Sequence, residues 1–136
     1  MRNKKQETRS KKQEKTTFKF EAPRIVGLIS DRMVPINLQK RLDRIFKRNY
    51  PEYVCLPFVV EPKYLKNVVA CMRLMDIEGL IVLGNHTRRI RRYIPRLDRT
   101  AKEARQVNVI LRRKKEFFGY YFEKSQKIPF GVSKKH

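Results

Sequence analysis

A chain of 136 residues, 40% hydrophobic and carrying 8 Phe and 6 Tyr, has the size of one domain and enough apolar mass to bury a core. Its 34 Lys and Arg against 13 Asp and Glu give a net charge of +21, which says little about fold and points to a polyanionic or anionic partner. No run approaches the roughly 18 apolar residues that cross a bilayer, and the basic N-terminus lacks the apolar region of a signal peptide and the amphipathic stripe of a presequence.

Residues 1–22 read as a basic tail. Within 1–20 there are eight basic and two acidic residues, and nothing apolar stands between Met1 and Phe18, so the segment does not repay its own ordering entropy. The body begins with the β-rich run RIVGLIS, expected as a strand over Arg24–Ile29. INLQKRLDRIFKRN follows, with Leu38, Leu42, Ile45 and Phe46 on one helical face and basic residues on the others. YVCLPFV (Tyr53–Val59) reads as a second buried strand. Pro62 opens a second helix whose apolar stripe is Leu65, Val68, Val69, Met72 and Met75. GLIVL (Gly79–Leu83) is a third strand.

Helical pieces surround Pro95, and strands are expected at Val107–Leu111 and Phe117–Phe122, joined by a turn at Lys114–Glu116. So short a connection makes the last pair antiparallel. The order β-α-β-α-β-α-β-β predicts a single three-layer α/β domain over residues 23–123, with a mostly parallel twisted sheet ending in an antiparallel hairpin. Residues 124–136 form a second basic tail. Cys55 and Cys71 both lie in apolar surroundings and are expected as buried, reduced thiols; their spacing fits no metal site.

From Pro23 to about Glu123 the sequence resembles the N-terminal, substrate-binding domain of shikimate dehydrogenase. The resemblance rests on RIVGLISD, on RIFKRNYPEYVCLPFVVEPKYLKNVVACMRLMDIEGLIV and on RQVNVILRRKKEFFGYYFE, and it lies in pattern and spacing more than in signature residues. It implies the family's fold. It also implies losses. Ile36 and Leu38 stand where the family has two serines that bind the substrate carboxylate, and neither donates a hydrogen bond. Thr87 stands in the place of the catalytic lysine. Glu123 aligns with the catalytic aspartate, and Asn108 alone matches a substrate-binding residue directly. No Gly-x-Gly-x-x-Gly motif is present, so no nicotinamide cofactor, no other cofactor, no metal and no enzymatic activity are expected.

The turn Gly84-Asn85-His86-Thr87 opens a helical segment and is a candidate anion-binding site, with Asn85 or Thr87 as a plain N-cap as the simpler reading. His86 has no sequence partner to orient it as a base and is read as a turn residue facing solvent or phosphate. Behind it, 12 basic and two acidic residues lie between Arg88 and Lys115. Arg88, Arg89, Arg91, Arg92 and Arg96, the hairpin group Arg112, Arg113, Lys114 and Lys115, and the tail lysines Lys4, Lys5, Lys11 and Lys12 are the candidate contacts to nucleic-acid phosphate. With no groove-reading motif present, the expected function is that of a non-enzymatic RNA-binding protein packed into folded ribosomal RNA beside neighbouring ribosomal proteins, without membrane contact. Its expected location is the cytoplasmic ribosome, an organellar matrix being left open. The alternative is a pseudoenzyme or regulatory module with a remodelled small-molecule pocket.

Overall fold

The computed structural model describes residues 23–123. The expected contacts at Lys4, Lys5, Lys11 and Lys12 lie outside them. In chain order the elements are β1 (Arg24–Ser30), α1 (Ile36–Asn49), β2 (Tyr53–Val59), a 3-10 turn (Pro62–Tyr64) running into α2 (Leu65–Leu74), β3 (Gly79–Val82), α3 (His86–Arg89) continued as a 3-10 turn (Ile90–Tyr93), β4 (Arg96–Leu97), α4 (Arg99–Ala104), β5 (Val109–Arg113) and β6 (Glu116–Tyr120). The six strands form one sheet in the order β2-β1-β3-β5-β6-β4.

β1 pairs in parallel with β2 and β3, and β4 with β6; β5 runs antiparallel to β3 and β6. The sheet is thus the mixed, mainly parallel one that the element order predicts. The reversal of β5 against β3 is new, because a strand's direction relative to a non-sequential neighbour leaves no mark in its own residues. The two-residue β4 is too short for any periodicity.

The central strands are apolar on both sides, so both sheet faces must be covered. Every residue of β3 is buried. On one face α1 lays Phe46 against Val26, Leu28, Cys55, Ile81 and Val109, with Leu38 and Leu42 at the margin. On the other, Leu65, Val69 and Met72 of α2, Ile90 and Ala101 meet Ile29, Leu80, Val82, Ile110 and Phe117. Met75, expected in the α2 stripe, is 66% exposed, because α2 ends one residue before it. Phe117 is fully buried, with the guanidinium groups of Arg73 and Arg112 at 5.6 and 5.1 Å from its ring centre. Asp98 caps α4 by accepting from the Thr100 amide at 3.0 Å. Arg105, at φ 55°, ends the helix.

β2 corrects the reading of a strand buried on both faces. It is the sheet's edge, and Val54, Leu56 and Phe58 on its α2-side face are at least a third exposed. Hydrogen bonds at its ends, Arg24 N to Glu52 O and Val60 N to Ser30 O, fix the alternation: even-numbered residues point their backbone groups at β1 and odd-numbered ones point away. Pro57 therefore falls on the outward side, where its missing N–H costs the sheet nothing.

The hairpin is also tighter than expected. Arg113 pairs with Glu116, leaving a two-residue turn at Lys114 (φ 50°) and Lys115 (φ 76°). Two left-handed residues give the turn whose twist suits a hairpin.

One of the two thiols differs from expectation in the same way as β2, and the other does not. Cys55 is buried under α1 and free; Cys71 is free and exposed on the outer side of α2. Burial, with Asp43 nearby, pushes the Cys55 thiol up to about 11, so it has little thiolate at neutral pH. In native protein at pH 7.5 a thiol reagent is expected to modify Cys71 within minutes and Cys55 only after denaturant is added, as read by mass spectrometry. A second outcome concerns Gly119, where an added Cβ would lie 2.9 Å from Val107 Cγ2 and 3.1 Å from Leu97 Cδ2. Gly119→Ala is expected to cost about 1–3 kcal/mol of stability in urea unfolding, the range for overpacking a filled core.

Candidate functional site

In an open α/β sheet, ligands collect beyond the carboxyl ends of the parallel strands. Here those ends are Ser30 of β1 and Val82 of β3. Leu83 N donates to Ile29 O at 2.9 Å and Val82 N to Asn108 O at 2.8 Å, so the turn after β3 is fixed to both neighbours before it leaves the sheet. Gly84 then takes φ 64°. An added Cβ there would stand 3.3 Å from Asp31 Oδ1, so both the backbone angle and the adjacent carboxylate favour glycine.

α3 follows at once. Neither candidate cap holds it: Asn85 is already in the right-handed helical region and makes no side-chain capping bond. The Thr87 hydroxyl lies 2.9 Å from Gly84 O and 3.0 Å from Gln106 Oε1. The backbone repeats the link, since Val107 N donates to Thr87 O at 2.8 Å. Thr87 thus closes the turn onto itself and joins it to the segment entering β5.

His86 does not face solvent or phosphate, as the sequence led us to expect. It is fully buried, and its Nε2 lies 2.6 Å from Val60 O. A carbonyl can only accept, so Nε2 carries a proton and donates it to Val60 O. Nδ1 is buried with no hydrogen-bond partner. The imidazole is therefore a strut between the turn and the end of β2. Sequence gives no sign of this, because the carbonyl it holds is 26 residues away.

Asn108 is equally committed. Its Nδ2 donates to Phe122 O at 2.6 Å and its Oδ1 accepts from Phe122 N at 2.8 Å. This two-point grip on a backbone carries the chain past β6 toward Glu123, and Tyr121 N donates to Thr100 Oγ1 beside it. The structure thus gathers Gly84, Thr87, Gln106 and Asn108 at one end of the sheet. Asp31 and Gln106, both missed in the sequence, belong to this group; no local pattern marks either.

The arginines do not form one surface. Arg88, Arg89, Arg92 and Arg96 are exposed and Arg91 is half-buried; Arg96 pairs with Glu116 at 3.0 Å. Arg112 bonds Asp76 and donates to Met72 O at 2.6 Å while lying over Phe117. Arg113 lies 5.2 Å over the Tyr120 ring. Of the hairpin group only Lys114 and Lys115 are exposed. Among the described residues no three His, Cys, Asp or Glu side chains cluster as metal ligands, and no helix is long and apolar enough to cross a membrane.

Two shikimate dehydrogenases (NADP(+)) from strains of Dehalococcoides mccartyi, one of them CBDB1, are 36% identical to this chain over 75 residues, 55% of this chain and 26% of each relative. The chain resembles the N-terminal, substrate-binding domain of shikimate dehydrogenase. Among solved structures, shikimate 5-dehydrogenase from Listeria monocytogenes in complex with shikimate and NAD has a TM-score of 0.62 at 27% identity, covering 72% of this chain and 34% of that one. Shikimate dehydrogenase 1 from Peptoclostridium difficile gives 0.66 at 22%, covering 72% and 36%. The chain thus spans about a quarter of the curated relatives' length. No family model matches it.

These relatives belong to an enzyme family, and they overturn the expectation drawn from charge. An RNA-binding, ribosomal or ribosome-associated protein, with ribosomal RNA and ribosomal proteins as partners, is not what the shikimate dehydrogenase likeness supports. The physical reason lies in the arginines just described. A net charge counts them all alike, whereas Arg112, Arg113 and Arg96 are spent on rings and carboxylates within the domain.

The grip of Asn108 on Phe122 has a measurable size. Asn108→Ala removes two hydrogen bonds of about 1 kcal/mol each. It is expected to lower unfolding stability by about 2 kcal/mol and to speed amide exchange at Phe122; unchanged exchange there would show that the contact carries no load.

Proposed function

We propose that this domain is a non-catalytic derivative of the shikimate dehydrogenase substrate-binding domain, acting by binding rather than by hydride transfer. The observation that carries the reading is the state of Thr87. It occupies the place the resemblance gives to the catalytic lysine. An ammonium there would supply a positive charge and three donor protons. A hydroxyl supplies neither the charge nor a comparable acidity, and this one already lies within bonding distance of Gly84 O and Gln106 Oε1.

Other positions named by the resemblance support the same reading. Ile36 and Leu38, in the places of the carboxylate-binding serines, offer no donor to an anionic substrate. Asn108, the matching residue, has both ends of its amide engaged by Phe122. Recognition of a hydroxylated acid needs these polar groups free and convergent. A site built on such groups loses orders of magnitude when they are absent, because the substrate's own polar groups are then desolvated without partners.

The test uses the full-length protein as its host expresses it. With shikimate and NADP supplied to about 10 mM and 1 mM, above and at the top of the usual range of KM values, the expected result is no NADPH formation above the protein-free control. Calorimetric titration is expected to show no saturable heat with shikimate. Saturable, NADP-dependent oxidation of shikimate overturns the reading.

A further inference from the structure

A groove of about 590 Å³ runs between α2 and the Ile90–Tyr93 turn, on the sheet face away from α1. It is lined by Lys66, Val69, Ala70, Arg73, Leu74, Arg92 and Tyr93, and shares no residue with the Gly84–Thr87 turn. The α2 residues among them, at positions 66, 69, 70, 73 and 74, follow the i, i+3, i+4, i+7 spacing of one helical face. They cover about 12 Å of helix axis.

Its chemistry is divided. The floor is apolar: Val69 is nearly buried, Ala70 and Tyr93 continue it, and Leu74 stands 85% exposed at its end. The rim is cationic: Lys66, Arg73 and Arg92. None of the seven lining residues is acidic. The carboxylates that neutralise cations elsewhere do not reach here. The ion pairs found are Lys63–Glu61, Arg96–Glu116, Arg99–Glu103 and Arg112–Asp76, so among the described residues Lys66, Arg73 and Arg92 have no carboxylate partner. Arg73 is held in place without being neutralised, its guanidinium 5.6 Å from the centre of the Phe117 ring.

An exposed leucine alone is ordinary, but an apolar stripe of Val69, Ala70, Leu74 and Tyr93 rimmed by three cations without carboxylate partners leaves apolar area in water and like charges side by side. An occupant with one apolar face and carboxylates on its flanks would offset both. The length fits two turns of a helix, and an amphipathic helix laid in an apolar groove is a recurring mode of recognition. A free inorganic anion would leave Leu74 and Val69 unused.

We propose that the groove between α2 and the Ile90–Tyr93 turn docks an acidic amphipathic helix of a partner protein. Leu or Phe side chains of that helix, spaced i, i+3 or i+4, i+7, would sit on Val69, Ala70, Leu74 and Tyr93, and Glu or Asp on its flanks would pair with Arg73 and Arg92. The inference does not depend on whether the turn at Thr87 is catalytically silent.

The probe is a fluorescein-labelled 16-residue peptide with Leu at i, i+3, i+7 and i+10 and Glu at the remaining helical positions except for alanine spacers. Its binding is followed by fluorescence anisotropy at 150 mM salt. A second peptide of the same composition, with the leucines dispersed around the helix, controls for attraction to the protein's net charge. The expected result is at least tenfold tighter binding of the amphipathic peptide. The double variant Arg73→Ala/Arg92→Ala is expected to lose at least tenfold of that affinity, and Leu74→Glu a similar amount. Leu74 is exposed, so the latter leaves the fold intact, as checked by circular dichroism. Equal binding of the two peptides, or binding unchanged by Leu74→Glu, overturns the proposal and reduces the groove to a charged surface. Displacement of the peptide by millimolar inorganic phosphate alone would overturn it as well.

Discussion

The domain depends on one requirement: β1 and β3 are apolar on both sides and lie at the middle of a sheet that must be covered twice. Phe46 satisfies one face and the Leu65, Val69 and Met72 stripe the other. Burial of a side chain of this size is worth about 1.5–3 kcal/mol relative to exposure, so the two helices are held chiefly by what they hide. Their positions in turn fix where the chain is free. Cover is complete over β3, nearly so over β1 and β5, and runs out over β2, where apolar side chains reach solvent. Beyond the carboxyl ends of β1 and β3 lies the turn Gly84–Thr87.

In open α/β sheets that end is where ligands collect, and here its polar side chains make structural bonds. His86 holds the end of β2, Thr87 closes its own turn and touches Gln106, and Asn108 holds the backbone at Phe122. Each is a polar side chain at a strand end, the kind a ligand-binding site uses. Each is directed at the protein's own backbone or at a neighbouring amide.

Much of the scaffold was legible from the sequence. The 3.6-residue spacing of Leu38, Leu42 and Phe46 marked α1, and the β-branched runs marked β1, β2 and β3. The hairpin followed from the short gap between two such runs. Legibility ended where a residue's role is set by a distant contact. Nothing around His86 announces a carbonyl at Val60, and nothing in RRKK separates Arg112, which crosses the core ring Phe117 to reach Asp76, from Lys115, which faces water. The error over nucleic acid came from that blindness: charge is read along the chain, and its direction is decided across it. The edge position of β2 was hidden for a related reason. An apolar run looks the same whether one or two of its faces will be covered.

Pro57 shows what that edge demands of the protein before it has any partner. The run YVCLPFVV is the uncharged, β-prone kind of segment that stacks with copies of itself, and in the folded domain it lies at the rim of the sheet. An incoming strand would seek the outward N–H groups of Cys55, residue 57 and Val59 in succession. At the middle of the three there is no proton to give. A zipper of one molecule onto the next is interrupted after a single residue on either side, and the side chain best suited to interrupt it sits at the middle of the outward-facing positions, where the native sheet loses no bond. The chain can thus carry an uncovered apolar strand through synthesis and crowding without offering it as a template, a safeguard against fibre growth written into a single imino acid.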